Sequence, residues 1–240
     1  MSSGERASAL PVVSWLLRAL LGIGGALLVY AAAPLTWGAW QALGAGSVVD
    51  RLRVSKPTTV ADALAAAAAL DRAVQADPSA QRHLDRSELL AGQAMTLKGV
   101  SDTEREQWLR LAAADLETGL AGVPGHGIGW LRLASVRYAL EGPSRRVVDP
   151  LLRSIETAPI VPHLWLGRLE LILRNWLVLS EPEIARLSAY VRMTWRASSD
   201  RRWFVWVMRE PLDELLVRFL LADEPGAQEE LSVWIGLVRK

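Results

Sequence analysis

The chain has 240 residues, with 27 basic and 26 acidic side chains and a formal net charge of +1. This balance excludes the electrostatic footprint of a nucleic-acid-binding protein or of a binder of strongly acidic partners. The chain has no cysteine, which excludes disulfides, thiolate catalysis and cysteine-based metal sites. Hydrophobic residues make up 51% of it, enough for a packed core in addition to a membrane segment.

Residues 19–40 contain no charged side chain. A helix of this length spans about 33 Å, close to the thickness of the hydrocarbon core of a bilayer. We therefore predict a transmembrane helix over 19–40, after a short cytoplasmic segment over 1–18. Aromatic and basic side chains at both ends of this run are typical of the membrane interface. They are Trp15, Arg18, Trp37 and Trp40.

A cleaved signal peptide is the alternative to this anchor. Ala31, Ala32 and Ala33 provide the small residues that a signal peptidase requires after an apolar stretch. However, Pro34 would occupy the first position after the cut, where its locked ring fits an extended substrate poorly. The apolar run also continues to Trp40, which is longer than a usual signal peptide. We expect a retained, single-pass anchor in a bacterial inner membrane, with the following domain in the periplasm.

The rest of the chain is predicted to be a linker followed by an all-α domain. Gly44, Gly46 and the segment 47–57 predict a linker over 41–57. Residues 58–240 lack alternating β-branched runs, so we predict about ten helices and no sheet. Capping boxes that begin at Thr59, Ser101 and Ser180 predict helix starts. Helix ends are predicted at Pro78, Gly99, Gly122–Pro124, Gly142–Pro143 and Ala158–Pro159.

A repeat of 35 residues relates Trp130 to Trp165, and Pro124 to Pro159. The segments VADALAAAAALDRAVQADPSAQRHLDRSELLAGQA (60–94) and GWLRLASVRYALEG (129–142) resemble tetratricopeptide repeats, with the resemblance best over 58–178. This resemblance implies helical hairpins that stack into a protein-binding surface. The match departs from the family at the long spacing between Pro78 and Pro124, and at Pro150, which is expected to interrupt a helix.

A second resemblance covers residues 130–176, WLRLASVRYALEGPSRRVVDPLLRSIETAPIVPHLWLGRLELILRNW. This run is similar to helical-repeat proteins of proteobacterial cell-surface polysaccharide assembly. The shared features are a helix rich in Trp, Leu and Ala, a Gly-Pro turn, and a second helix that ends on Trp. The resemblance implies a process, the biosynthesis or export of exopolysaccharide or O-antigen, and no catalytic residue.

No motif for catalysis, cofactor binding or metal binding is present in the sequence. The histidines His83, His126 and His163 are scattered, without metal-ligand spacing. The glycine-rich segment 124–129 lacks the strand and the lysine of a phosphate-binding loop, which favours a turn between repeats. Acidic pairs such as Asp213 and Glu214 are expected on solvated faces. We therefore expect a protein that is not an enzyme and holds no cofactor.

Partner-binding residues follow from the family geometry, in which the first helix of each hairpin lines a concave groove. Ser135, Tyr138, His163, Glu170 and Arg174 are predicted to face it. Trp203 and Trp206, among arginines, are predicted to form a partner surface or the core of the last helices.

The leading hypothesis is a membrane-anchored scaffold that binds envelope proteins. The alternative is a glycan-binding accessory subunit of a polysaccharide polymerase or ligase, which would require exposed tryptophans along a groove. The sequence indicates neither nucleic-acid binding nor a particular oligomeric state.

Overall fold

The computed structural model describes residues 9–53, 56 and 58–239, which form eleven α-helices and no strand. The all-α prediction is therefore confirmed for this part of the chain. Residues 1–8 of the predicted cytoplasmic segment, and 54, 55 and 57 of the predicted linker, lie outside the described residues. The helices are α1 (Ala9–Arg53), α2 (Val60–Ala76), α3 (Ala80–Thr96), α4 (Asp102–Gly122), α5 (Gly127–Glu141), α6 (Arg145–Thr157), α7 (Pro162–Arg174), α8 (Glu181–Ala197), α9 (Arg202–Val207), α10 (Pro211–Leu220) and α11 (Ala227–Val238).

The predicted helix boundaries agree with the structure because local capping determines them. Ser101 and Glu104 form a reciprocal capping box at the start of α4, and Ser180 pairs with Glu183 in the same way before α8. The Thr59 hydroxyl accepts a hydrogen bond from the backbone N–H of Asp62 at 3.1 Å. Helices α2 to α6 end within a few residues of the predicted Gly and Pro positions.

Helix α1 has 45 residues and is therefore about 68 Å long, twice the thickness of a hydrocarbon core. It is long and apolar enough to cross a membrane, and none of its most apolar 18-residue window is buried. Residues 15–37 are all exposed or half-exposed, and burial begins at Gly38. Residues 15–37, which we call the uncovered half of α1, are thus an apolar stretch of helix that no other part of the described chain covers.

The linker prediction for 41–57 is wrong for residues 41–53, which continue α1 without a break. Ala45 and Val48 are buried in a cluster with Leu70 of α2 and Leu89 of α3. Burial of these side chains against two helices stabilises the helical conformation despite the glycines nearby. The second half of α1 is therefore the first helix of the folded domain.

The domain is a row of stacked helical hairpins. Helix α1 pairs with α2, α3 with α4, and α5 with α6, while α1, α3, α5, α7 and α9 also contact one another in sequence. The odd-numbered helices therefore form one continuous layer. Three hydrophobic clusters follow the row, from α1–α3 through α3–α5 to a large one over α5–α11. Helix α4 contributes Ala112, Leu116 and Leu120, which recur every four residues and are all buried.

Pro150 lies inside α6 and does not interrupt it. A proline lacks the N–H that would bond to the carbonyl four residues earlier, here that of Arg146. The Arg137 guanidinium of α5 donates to this carbonyl at 2.8 Å. The hydrogen bond that the proline loses is therefore replaced from the neighbouring helix.

Candidate interaction surfaces

The layer of odd-numbered helices carries one groove that contains a predicted binding residue. It has a volume of about 330 Å³, and Val49 of α1, Met95 of α3 and Ser135 of α5 are among its lining residues. An ion pair between Glu88 and Arg132, 3.3 Å apart, also lines it. The Ser135 hydroxyl donates to the Leu131 carbonyl at 3.0 Å, within its own helix. The groove is mostly aliphatic.

The other predicted groove residues do not gather around Ser135. Tyr138 is half-buried and packs against the large core cluster. His163 is exposed in the first turn of α7. Glu170 pairs with Arg209 at 2.7 Å, and Arg174 with Asp213 at 3.4 Å. Glu170 and Arg174 of α7 therefore hold the turn between α9 and α10 in place.

Asp213 departs from the expected solvated face. Its side chain is buried and accepts hydrogen bonds from the backbone N–H groups of Arg209 at 2.8 Å and Glu210 at 3.0 Å. These donors lie at the N-terminus of α10, where a carboxylate is stabilised by free N–H groups and the helix dipole. Together with Arg174, they make Asp213 the anchor of the α9–α10 turn.

The two predicted tryptophans have different environments. Trp203 is half-buried, with its ring centroid 6.2 Å from that of Trp165 and its indole N–H donating to Ser198 at 3.0 Å. Trp206 is 56% exposed, and the Arg202 guanidinium lies 5.8 Å above its ring. Trp203 thus belongs to the core, and Trp206 remains on the surface.

Helix α10 presents an apolar surface that the sequence analysis missed. Leu212, Leu215 and Phe219, which we call the α10 apolar surface, are each more than half exposed and recur at helical spacing. Trp176 packs edge-on against Phe219 at 5.5 Å, next to the fully exposed Leu177. The sequence of α10 could have revealed this surface, because apolar residues occur on both faces of the helix. That pattern is expected of a helix that is covered on both sides.

Charged side chains border this surface. Glu214 pairs with Arg218 at 2.9 Å and with Arg239, the residue after α11, at 3.2 Å. Glu210 lies 4.0 Å from Arg174. An apolar centre with a charged rim is the usual composition of a protein–protein contact surface.

The sequence also missed a buried polar cluster between α3 and α4. Asp115 is buried and contacts His83 Nδ1 at 2.7 Å and Arg86 Nε at 2.6 Å, and Arg86 also donates to Asp71. Hydrogen bonding to Asp115 raises the pKa of the Arg86 guanidinium above its usual value. The partners are 29 and 32 residues apart, so no local motif could have revealed them.

This cluster joins α2, α3 and α4, and none of its residues lines the groove at Ser135. Among residues 9–53, 56 and 58–239, no group of three or more His, Asp or Glu side chains is placed to hold a metal ion.

The glycine-rich segment 124–129 is a tight turn followed by the first residues of α5. The His126 ring accepts a hydrogen bond from the Gly129 N–H at 3.0 Å and caps the helix. A Cβ at Gly127 would lie 2.5 Å from the Cβ of Ala158, and one at Gly129 would lie 2.7 Å from His126 Nδ1. The glycines therefore permit close helix packing, in keeping with the predicted inter-repeat turn.

The predicted membrane-interface residues lie along the uncovered half of α1 and just beyond its end. Trp15, Arg18, Trp37 and Trp40 are all exposed, and the two tryptophans at the far end flank Gly38, where burial begins.

Comparison with protein-family models, with curated proteins and with solved structures finds no match for this chain. Its geometry defines a class: an all-α protein of stacked helical hairpins whose first helix is long and apolar enough to cross a membrane.

Proposed function

We propose that this protein is a single-pass membrane-anchored scaffold whose stacked hairpins bind another protein through the α10 apolar surface. The observation that carries the proposal is the exposure of Leu212, Leu215 and Phe219 on a helix whose opposite face is already buried. Three large apolar side chains on one helical face, bordered by ion pairs, suit a complementary apolar surface of a partner.

Retention of the anchor is part of this proposal. Helix α1 runs unbroken through the small residues 31–33 and on into the domain core. Arg18 precedes the uncharged run and favours a cytoplasmic N-terminus, which would put the domain on the periplasmic side of a bacterial inner membrane. An anchor confines the scaffold to two dimensions and so raises its effective concentration toward a membrane-bound partner.

The tetratricopeptide-like repeats and the role in cell-surface polysaccharide biosynthesis or export also remain proposals. The stacking of successive odd-numbered helices supports the first, because such repeats expose one layer of helices as a binding face. The second rests on the resemblance of residues 130–176 to helical-repeat proteins of that process. The partner we propose is accordingly an envelope protein that assembles or exports polysaccharide.

The tryptophans favour the scaffold over the glycan-binding alternative. Eight of the 11 tryptophans lie after α1, and of these only Trp206 is exposed. A sugar-binding groove uses exposed aromatic faces in a row, whereas these side chains mostly fill the core. Trp206, stacked with Arg202, offers one exposed aromatic face rather than a row of them.

The test is affinity purification of the full-length protein from native membranes, followed by mass spectrometry. The informative variant is Leu215→Asp, which places a charge in the α10 apolar surface. The matched control is Leu111→Asp, because Leu111 of α4 is similarly exposed and lies far from α10 in sequence. We expect the wild type and the control to retain polysaccharide polymerase, ligase or export components, and Leu215→Asp to lose them.

Two results would contradict the proposal. If the full-length protein retains no envelope protein, the scaffold function is wrong. If Leu215→Asp retains the same partners as Leu111→Asp, the α10 apolar surface is not the binding site.

A further inference from the structure

The turns at one edge of the hairpin row lie level with the end of the uncovered apolar helix. Helix α2 runs antiparallel to α1, so its last turn returns to the level of Gly38. A Cβ built on Gly38 would lie 2.8 Å from the Cβ of Asp77. Trp37 and Trp40 flank this point, at the position where interfacial aromatics mark the bilayer surface.

Close contacts extend this edge along the row. Gly122, at the end of α4, packs against Ala80 at the start of α3, where an added Cβ would lie 2.7 Å from the Ala80 Cβ. Gly127, at the start of α5, packs in the same way against Ala158 at the end of α6. The turns 77–79, 123–126 and 158–161, which we call the near edge, therefore follow one another from the level of Gly38.

The near edge exposes apolar side chains at the tips of two turns. Ile160 is 71% exposed and Val123 is 39% exposed, and Pro124 and Pro159 are exposed beside them. These turns are firmly held. The indole N–H of Trp130 donates to the Pro124 carbonyl at 2.7 Å, and that of Trp165 to the Pro159 carbonyl at 3.3 Å. The 35-residue repeat thus places Pro124 and Pro159 at equivalent points of two rigid turns, each of which also exposes an aliphatic side chain on the same edge.

We infer that the near edge lies on the membrane surface, with Ile160 and Val123 in contact with the lipid headgroup and upper acyl region. The inference rests on the proposed insertion of α1. Because α1 continues into the domain as one helix, insertion of its uncovered half brings the near edge to the bilayer. Exposed aliphatic side chains and prolines are then transferred from water into the interface, where apolar area is favourably buried.

The opposite edge of the row also has an exposed aliphatic side chain, so exposure alone does not identify the near edge as the membrane-facing one. Leu177 is 97% exposed, but it lies after the end of α7, at the opposite edge of the row. Both residues are exposed aliphatics in short connections between helices, Ile160 in a turn and Leu177 in the 3-10 helix Trp176–Val178, so they differ chiefly in their distance from the bilayer. Leu177 is therefore a matched control for Ile160.

The experiment uses the full chain in phosphatidylcholine vesicles that carry spin-labelled lipids. Because the chain has no cysteine, one introduced cysteine is the single labelling site for an environment-sensitive fluorophore. The variants are Ile160→Cys, Leu177→Cys and Leu28→Cys, the last in the middle of the uncovered part of α1. We expect lipids labelled near the headgroup to quench at position 160 at least about twofold more than at 177, because position 160 lies at the interface. Lipids labelled deep in the acyl chain should quench position 28.

The outcomes separate the two claims. If position 28 is quenched but positions 160 and 177 behave alike, α1 is inserted and the near-edge inference is wrong. If position 28 is not quenched by either lipid, the proposed insertion is wrong and the inference fails with it. Quenching at 28 and 160, without quenching at 177, supports both.

Discussion

Replacing Arg168 with methionine tests how the hairpins are locked to one another. Arg168 of α7 is fully buried, and its guanidinium donates to carbonyl and hydroxyl oxygens. Its guanidinium donates to the Ser154 carbonyl at 2.6 Å, the Ala158 carbonyl at 2.8 Å and the Tyr190 hydroxyl at 3.1 Å. The two carbonyls end α6, so the positive charge sits at the negative end of that helix dipole. One side chain therefore joins α6, α7 and α8.

The expected loss of stability follows from the polar groups that Arg168→Met would leave without a hydrogen-bond partner. The Ser154 carbonyl keeps a bond from the Ala158 N–H, whereas the Ala158 carbonyl and the Tyr190 hydroxyl each lose their Arg168 partner. A buried polar group without a partner costs about 1–3 kcal/mol, and removal of the buried charge offsets part of this. We expect Arg168→Met to lower the free energy of unfolding by about 3 kcal/mol, which corresponds to a fall of roughly 6–12 °C in Tm.

The assay is thermal unfolding of the full-length protein in detergent micelles, followed by tryptophan fluorescence. Arg153→Met is the control, since Arg153 is 67% exposed and pairs with Glu156 on the surface of α6. Its effect should stay within about 0.5 kcal/mol. An Arg168→Met protein that unfolds within 2 °C of the wild type would refute this account, because the interhelical bonds would then contribute nothing net.

Two further predictions use the same assay. Gly127→Ala should lower the free energy of unfolding by about 2 kcal/mol through overpacking against Ala158. Gly125→Ala, with open space around it in the turn before α5, should change this free energy little. Equal effects of the two substitutions would contradict the close-packing argument. Glu183→Gln keeps the cap on α8 but removes the charge that pairs with Arg145, whose hydrogen bond lowers the Glu183 pKa from 4.5 to about 2. A lowered pKa stabilises the folded state above the unfolded value, so the wild type should exceed this variant by about 1 kcal/mol at pH 7, with screening at the half-exposed Arg145 included. That difference should vanish as the pH falls from 4.5 toward 2, and a difference that persists at pH 2 would contradict the assignment.

Local chemistry made the helix boundaries predictable. A serine three residues before a glutamate specifies a helix start through hydrogen bonds within one turn, as at Ser101 and Ser180. The uncharged run in α1 was equally evident, because its length and composition suffice to suggest a membrane span.

Features that depend on contacts distant in sequence were not predictable. Gly44 and Gly46 lower helix propensity, but burial of Ala45 and Val48 against α2 and α3 outweighs it, so the expected linker is helical. Pro150 remains inside a helix because a guanidinium 13 positions earlier in the chain replaces the missing bond. Among the candidate site residues, Glu170 and Arg174 have partners 39 residues further along the chain, at the α9–α10 turn.

Because α1 is unbroken, the anchor would fix the position and orientation of the domain relative to the membrane. A flexible linker of 17 residues would have a root-mean-square span of about 23 Å, so the domain could sample many heights and orientations above the membrane. Instead, α1 carries the core residues Ala45 and Val48 directly, and Gly38 packs against the end of α2. The proposed insertion of α1 would therefore hold the α10 apolar surface at one height and in one orientation. A membrane-bound partner would then lose less rotational freedom on binding, because the scaffold is already oriented before they meet.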